Sequence, residues 1–331
     1  MINNILVTGG AGYIGSHVVE ILAKKNKNIF IVDNLSTGYK KLINKKAKFF
    51  KCNILDTKKV REIIIKNNIG SIIHLAANLI IGEGEKQPKK YFKNNVKGTE
   101  SILNSIKDTK VKNFLFSSTA AVYKDGMYRV TENSPIKPKS VYGKTKLKAE
   151  NLIKSKCKKL RINYGILRYF NIVGASPSGK YGLINISDHL FKNFSTQIIK
   201  KNPVLKIYGT NYDTKDGSCI RDFIHVSDIA EIHEKVLNKI DKAKKSAVLN
   251  CGYNQGISVK QVANEFKKQA HKNIKIIKVK KRAGDLGKII ASNNRLHKFI
   301  SWKPKYKKLS LMVKSSIKWE KKLNLFSKIN G

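Results

Sequence analysis

Short apolar runs alternate with amphipathic stretches through the first half of the chain. Ile5-Leu6-Val7-Thr8 lacks a polar face, as expected of a strand buried on both sides of a parallel sheet. A glycine-rich turn follows, then a helix is predicted from Ser16 to Leu22 and a second strand at Ile29–Val32, ending at Asp33. The rhythm continues with strand-like Phe49, Phe50 and Ile54, a helix at Val60–Ile65, and a strand over Ser71–Ala77, through Leu75, Ala76 and Ala77, that enters a small-residue turn. One long helix is predicted from about Lys89 to Lys107, a strand over Asn113–Thr119, a helix over 142–157 and a strand over Ile166–Phe170. Strand and helix in alternation predict an α/β fold, a doubly wound parallel sheet with right-handed crossovers. After Asn171 the pattern loosens, Gly174–Gly179 reads as loop, and a smaller second unit is expected. Val226–Ala230 looks like a capped helix start that returns to the first unit. The tail from Lys314 reads as a surface helix anchored by Trp319 and Phe326.

The turn between the first strand and helix is Gly9-Gly10-Ala11-Gly12-Tyr13-Ile14-Gly15. Glycines in this position let backbone approach a pyrophosphate, which rests on the helix N-terminus. Asp33, at the end of the second strand, can accept hydrogen bonds from a ribose and would repel a 2′-phosphate, so NAD is expected rather than NADP. Strand-end hydroxyls at Ser117, Ser118 and Thr119 lie where ligands bind in an open α/β sheet.

Charge complicates the picture without overturning it. The 331 residues carry a formal net charge of +45, which in a concentrated patch would point to nucleic acid. Here the excess is nearly all lysine, spread along the whole chain with abundant Asn and Ile, as codon bias in an A+T-rich genome would produce. No specific nucleic-acid partner is expected. The apolar start without a charged leader, and the absence of a long apolar run, predict a cytoplasmic protein with no signal peptide and no membrane span. Cys52, Cys157, Cys219 and Cys251 are scattered without metal or redox spacing, so packing roles and no metal are expected. His74, His225 and Asp228 are read as structural residues that pack, bond a loop or cap a helix.

Tyr142 and Lys146 stand four residues apart in a predicted helix, so their side chains share a face. An ammonium beside a phenol is expected to favour the phenolate and lower its pKa from about 10, making a base that can act near neutrality. In a lysine-rich chain such a pair also arises by chance on solvated helices, and its neighbours must decide.

Taken together, these segments resemble the extended short-chain dehydrogenases/reductases, and among them the UDP-hexose 4-epimerases. The likeness rests on 7–17, Asp33-Asn34-Leu35, His74–Ala77, Asn94-Asn95-Val96 with Gly98-Thr99, Phe116–Tyr123, Leu167–Asn171, and above all Asp216–Asp228 with Arg282–Leu286. It implies a Rossmann unit over 1–171 plus a returning segment near 222–245, with 172–221 and 246–331 forming the UDP-sugar unit. It also implies NAD-dependent 4-epimerisation of a UDP-hexose, most simply UDP-glucose with UDP-galactose, in a homodimer paired through helices near 90–107 and 142–157. By the same resemblance Tyr142, Lys146 and Thr119 are catalytic. NAD would meet Gly9, Gly12, Tyr13, Ile14, Gly15, Asp33, Asn34, Asn53, Ile54, Leu75, Ala76, Ala77, Asn94, Ser117 and Tyr169, with Tyr142 and Lys146. The UDP-sugar would meet Asn171, His189, Tyr208, Arg221, Phe223, Arg282 and Asp285 as well as Thr119 and Tyr142.

Several positions depart from the family pattern: Asn53 where Asp usually meets adenine, Leu79 for a Lys, Lys124 for a Gly, and His189 for an Asn. Ile289 occupies a position that in the family influences acceptance of a 2-acetamido sugar. A 4,6-dehydratase would carry an acid pair where this chain has Ala120 and Ala121, which argues against elimination. A UDP-glucuronate or UDP-N-acetylhexosamine 4-epimerase, and a non-catalytic NAD-binding regulator, remain the other readings.

Overall fold

A computed structural model describes residues 4–185, 189–281 and 287–329. Seven parallel strands form the main sheet: β1 Asn4–Thr8, β2 Asn28–Asp33, β3 Ala47–Lys51, β4 Ser71–His74, β5 Asn113–Thr119, β7 Asn163–Tyr169 and β11 Ala247–Cys251. Their order is β11-β7-β5-β4-β1-β2-β3. The chain winds outward in both directions from β1 and β4, and the strand ends at that reversal are where such sheets bind ligands.

Successive residues of a strand point to opposite faces, and β1 feeds two cores. Ile5 and Val7 join the cluster beneath the helices Tyr13–Lys24 and Val226–Ala243. Leu6 joins the cluster beneath Thr57–Lys66, Gly98–Ser105 and Val141–Lys159.

The second sheet is built from distant pieces. β12 Gly256–Ser258, β10 Ile220–His225, β14 Lys288–Ala291 and β6 Arg129–Val130 follow one another, with β8 Asn171–Val173 also paired to β10. A separate parallel pair joins β9 Val204–Tyr208 to β13 Lys275–Val279.

Three sequence expectations change. β11 was grouped with the second unit, yet its register with β7 from Ala247↔Gly165 to Cys251↔Tyr169 makes it an edge of the main sheet. The helix expected over 89–107 is present as one run from Pro88 to Ser105, but its middle, Phe92–Lys97, is π-helical between α-helical Pro88–Tyr91 and Gly98–Ser105, and a separate first turn, Ile81–Lys86, precedes it. Pro88 lacks the N–H needed to continue the first turn. Finally, His225 rather than Asp228 caps the helix Val226–Ala243, accepting from Ser227 N at 3.1 Å. The buried Asp228 instead accepts from Lys305 N and Tyr306 N at 3.1 and 3.0 Å, pinning a loop.

The tail helix spans Leu309–Ile329, and buried Trp319 donates to Leu183 O at 2.8 Å. The Phe326 side chain lies outside the described residues. Among the described residues no helix is long and apolar enough to cross a membrane.

Candidate active site

The turn after β1 is shaped by close backbone approach. Gly9 has φ +72°, and a Cβ there would lie 2.8 Å from Ala76 N, across the gap to β4. A Cβ on Gly15 would collide with Gly9 O, so only glycine lets the following helix seat this close. Gly12 is the N-cap, with no side-chain cap and no acid in the first turn, so the helix N-terminus is free to receive an anion. Asp33 is fixed below it, accepting from Ala11 N at 3.0 Å and Leu35 N at 2.8 Å. Burial pushes its carboxyl up against the pull of those two bonds. The cradle and its carboxylate fit an adenine dinucleotide with an unphosphorylated 2′-hydroxyl.

The other residues expected to meet the cofactor have partners of their own. Tyr13 donates its hydroxyl to Gly174 O at 2.6 Å, tying the turn to the second half of the chain. Asn34 and Asn53 use their side-chain oxygens on Ser36 N and Leu55 N, each at 3.0 Å. Ile54 is buried, whereas Ile14, Leu75, Ala76 and Ala77 are half-buried. Asn94 reaches its neighbour Asn95 at 3.2 Å. Asn95 does more than the sequence suggested. It accepts from Asn78 N at 2.8 Å, donates to Asn78 O at 2.9 Å and to Thr145 Oγ1 at 3.1 Å, and so fastens the loop after β4 to the Tyr142 helix. Tyr169 is sunk in the core with its hydroxyl 2.6 Å from His233 Nε2.

The helix Val141–Lys159 begins with a side-chain cap, Ser140 accepting from Gly143 N at 3.0 Å. Val141 N donates to Glu85 Oε1 at 2.8 Å. A Cβ on Gly143 would strike Ala121 O, so glycine lets this helix press against the turn after β5. That contact brings Tyr142 beside Thr119, whose hydroxyl is close enough to pull the phenol's pKa down. One turn on, Lys146 is 3% exposed; its Nζ lies 3.5 Å from Ser117 Oγ and 4.5 Å above the Phe116 ring.

Burial changes the expected electrostatics of this pair. The Tyr142 phenol is pushed up to about 12 by burial, with the Thr119 hydroxyl opposing. Burial brings the Lys146 ammonium down to about 7, with the Glu150 charge opposing. The expected drop in the phenol's pKa is therefore absent from the protein alone. Desolvation penalises both charged forms, and Lys146 is engaged by Ser117 and Phe116.

On the substrate side, Asn171 and Arg221 lie in adjoining strands of the second sheet, β8 and β10. Asn171 donates to Asp222 O at 3.3 Å, and Arg221 donates to Ile220 O at 3.1 Å and Gly287 O at 3.4 Å. The Asp222 carboxylate faces away, accepting from Tyr253 N, Asn254 N and Ala291 N at 2.8, 2.9 and 3.1 Å, so it does not pair with Arg221. Ile289 sits beside Arg221 in register. His189 binds Ile172 O through Nε2 at 2.6 Å, and Tyr208 closes β9. Phe223 departs from expectation: it is 2% exposed and packs 5.2 Å from Phe191, which makes its side chain part of the core. Arg282 and Asp285 lie outside the described residues.

Residues 5–252 match the profile of the NAD dependent epimerase/dehydratase family. The chain belongs to that family. Among its members, a UDP-glucose 4-epimerase of Lactobacillus helveticus is 36% identical over 321 residues, covering 96% of this chain and 97% of the relative. The family fold is equally clear in solved structures. A UDP-glucose 4-epimerase from Bifidobacterium longum in complex with NAD+ and UDP superposes with a TM-score of 0.89 at 30% identity, covering 97% of this chain and 98% of that one. A UDP-Glc/GlcNAc 4-epimerase from Campylobacter jejuni gives a TM-score of 0.85 at 36% identity, covering 97% and 99%.

Proposed function

We propose that the chain is an NAD-dependent UDP-hexose 4-epimerase that interconverts UDP-glucose and UDP-galactose. The observation that carries this is Tyr142 beside Thr119, with buried Lys146 one turn away, together with a glycine turn and Asp33 that fit NAD. Bound there, NAD would supply a reversible hydride acceptor and a positive charge. Tyr142 takes the proton of the sugar 4-hydroxyl and later returns it. Thr119 hydrogen-bonds the same oxygen, and Lys146 favours the phenolate and holds the nicotinamide ribose. Asn171 and Arg221 grip the nucleotide diphosphate while the sugar presents its other face, a task suited to arginine's planar donors. Ala120 and Ala121 offer no acid to expel water from a neighbouring carbon, which separates this site from a dehydratase.

The division of labour between an NAD unit and a UDP-sugar unit belongs to this proposal, as does a reducing cytoplasmic setting, which suits four buried free cysteines. Purified protein incubated with UDP-galactose should yield UDP-glucose by chromatography; no conversion by NAD-loaded protein overturns the assignment. UDP-N-acetylgalactosamine run in parallel tests the second specificity named for the Campylobacter jejuni relative.

A homodimer through the helices of 81–105 and 141–159 completes the reading. Both helices expose lysines, among them Lys89, Lys93, Lys144 and Lys148, so pairing opposes like charges. Sedimentation should show association strengthening as salt rises from about 0.01 to 0.15 M, where the screening length falls from about 30 to 8 Å. A monomer at every salt concentration would remove the dimer.

A further inference from the structure

The spacing that pairs Tyr142 with Lys146 continues to Glu150, one more turn along the same helix. Glu150 is wholly buried and gripped from two strands. From β7, Arg168 forms a bidentate pair, Nε to Oε1 at 3.0 Å and Nη2 to Oε2 at 2.7 Å, while itself 1% exposed. From β5, Ser118 donates to Oε1 at 2.5 Å. Ser118 lies between Ser117, which meets Lys146, and Thr119, which lies beside Tyr142. Arg168 extends the grip: it lies 3.0 Å from the Tyr123 hydroxyl, which donates to Asn250 Oδ1 on β11 at 2.6 Å. Buried ion pairs of this kind are seldom the cheapest way to fill a core, and their best use is to fix one geometry.

We propose that Glu150, anchored by Arg168 and Ser118, is a positioning residue for the proposed epimerase centre: it clamps the Tyr142 helix to the ends of β5 and β7 and fixes a carboxylate one turn from Lys146. This rests on the functional reading above only in its kinetic consequence. Lys146 is faced by Tyr142 and Glu150 from its own helix, by Ser117 and Phe116 from β5, and by His74 from β4. Burial lowers its pKa and Glu150 is the carboxylate that opposes this. Glu150 is also 3.8 Å from the half-exposed Lys154.

The test is an NMR titration of protein labelled at lysine Cε, which needs no turnover. One lysine should titrate near pH 7 in the wild-type protein and vanish from the spectrum of Lys146→Met. In Glu150→Gln that titration should move at least one pH unit lower, and the alkaline limb of kcat should retreat by the same interval, with KM for the UDP-sugar little changed. Glu150→Asp, which keeps the charge, should restore both. If Glu150→Gln fails to fold, Glu150→Gln/Arg168→Met removes both charges together and is read the same way. An unshifted Lys146 in a folded variant lacking the Glu150 charge overturns the proposal even if the enzyme epimerises. A shifted Lys146 in a protein that does not epimerise leaves it standing and refutes the functional reading instead.

Discussion

Tyr142→Phe should fold, retain NAD and lose turnover by about a thousandfold, the usual range for removing a general base being about 10² to 10⁴. The helix that carries the ring is seated by Gly143 against Ala121, so the variant keeps its position and forfeits only the hydroxyl beside Thr119. Nothing in the NAD cradle depends on that oxygen: Gly9, Gly15 and Asp33 are fixed by backbone. Bound NAD measured by absorbance after denaturation, alongside kcat for UDP-galactose, separates the two effects. Turnover within about threefold of wild type would remove Tyr142 as the base.

Acid should unfold this protein well above the carboxylate range. Four histidines are almost wholly buried, and desolvation lowers His17 and His233 to about 4 and His74 and His225 to about 3. In the fold they stay neutral at pH 5. In the unfolded chain they take up protons from about pH 6.5 downward, so stability present above 6.5 is lost as pH falls toward the folded values. At about 1.4 kcal/mol per pH unit, each costs about 2 kcal/mol at pH 5, about 8 kcal/mol together. Asp222 runs the other way. Burial pushes it up to about 6, so it binds a proton in the fold before the unfolded chain does, and it returns about 1.4 kcal/mol between pH 6 and 5. The net loss, about 7 kcal/mol, is comparable with the whole stability of an ordinary domain. Urea unfolding followed by circular dichroism at pH 7, 6 and 5 should show the midpoint collapsing over that interval; equal stability at pH 7 and 5 would contradict the burial of these rings.

The first half of the chain could be read from its sequence because its elements are local. β1, the glycine turn and β2 fall within one stretch whose apolar runs and glycines state their own geometry. The long helix was legible from Lys89 onward, but the π-helical turn within it leaves no local mark; it falls where Asn95 makes its tertiary bonds. β11 and the second sheet depend on pairings between residues far apart, which no local pattern encodes. Phe223 was assigned to substrate by its place in a motif, and only packing against Phe191 shows which way the ring faces. Glu150 was legible in principle, since the interval from 142 to 146 repeats at 150, but only the two strands that grip it set this acid apart from the other charges of the helix.

The second sheet has one consequence for how such a protein can be rearranged. β6, from the first half, pairs with β14 through Arg129↔Ile290 and Val130↔Ala291, while β11, from the second half, completes the main sheet beside β7. Each layer thus borrows a strand from the other side of the chain. The halves are not interchangeable modules: a chimera spliced at one junction would leave both sheets with a foreign strand, so new sugar specificity is open to this scaffold through side-chain replacement and loop change rather than through exchange of a whole half.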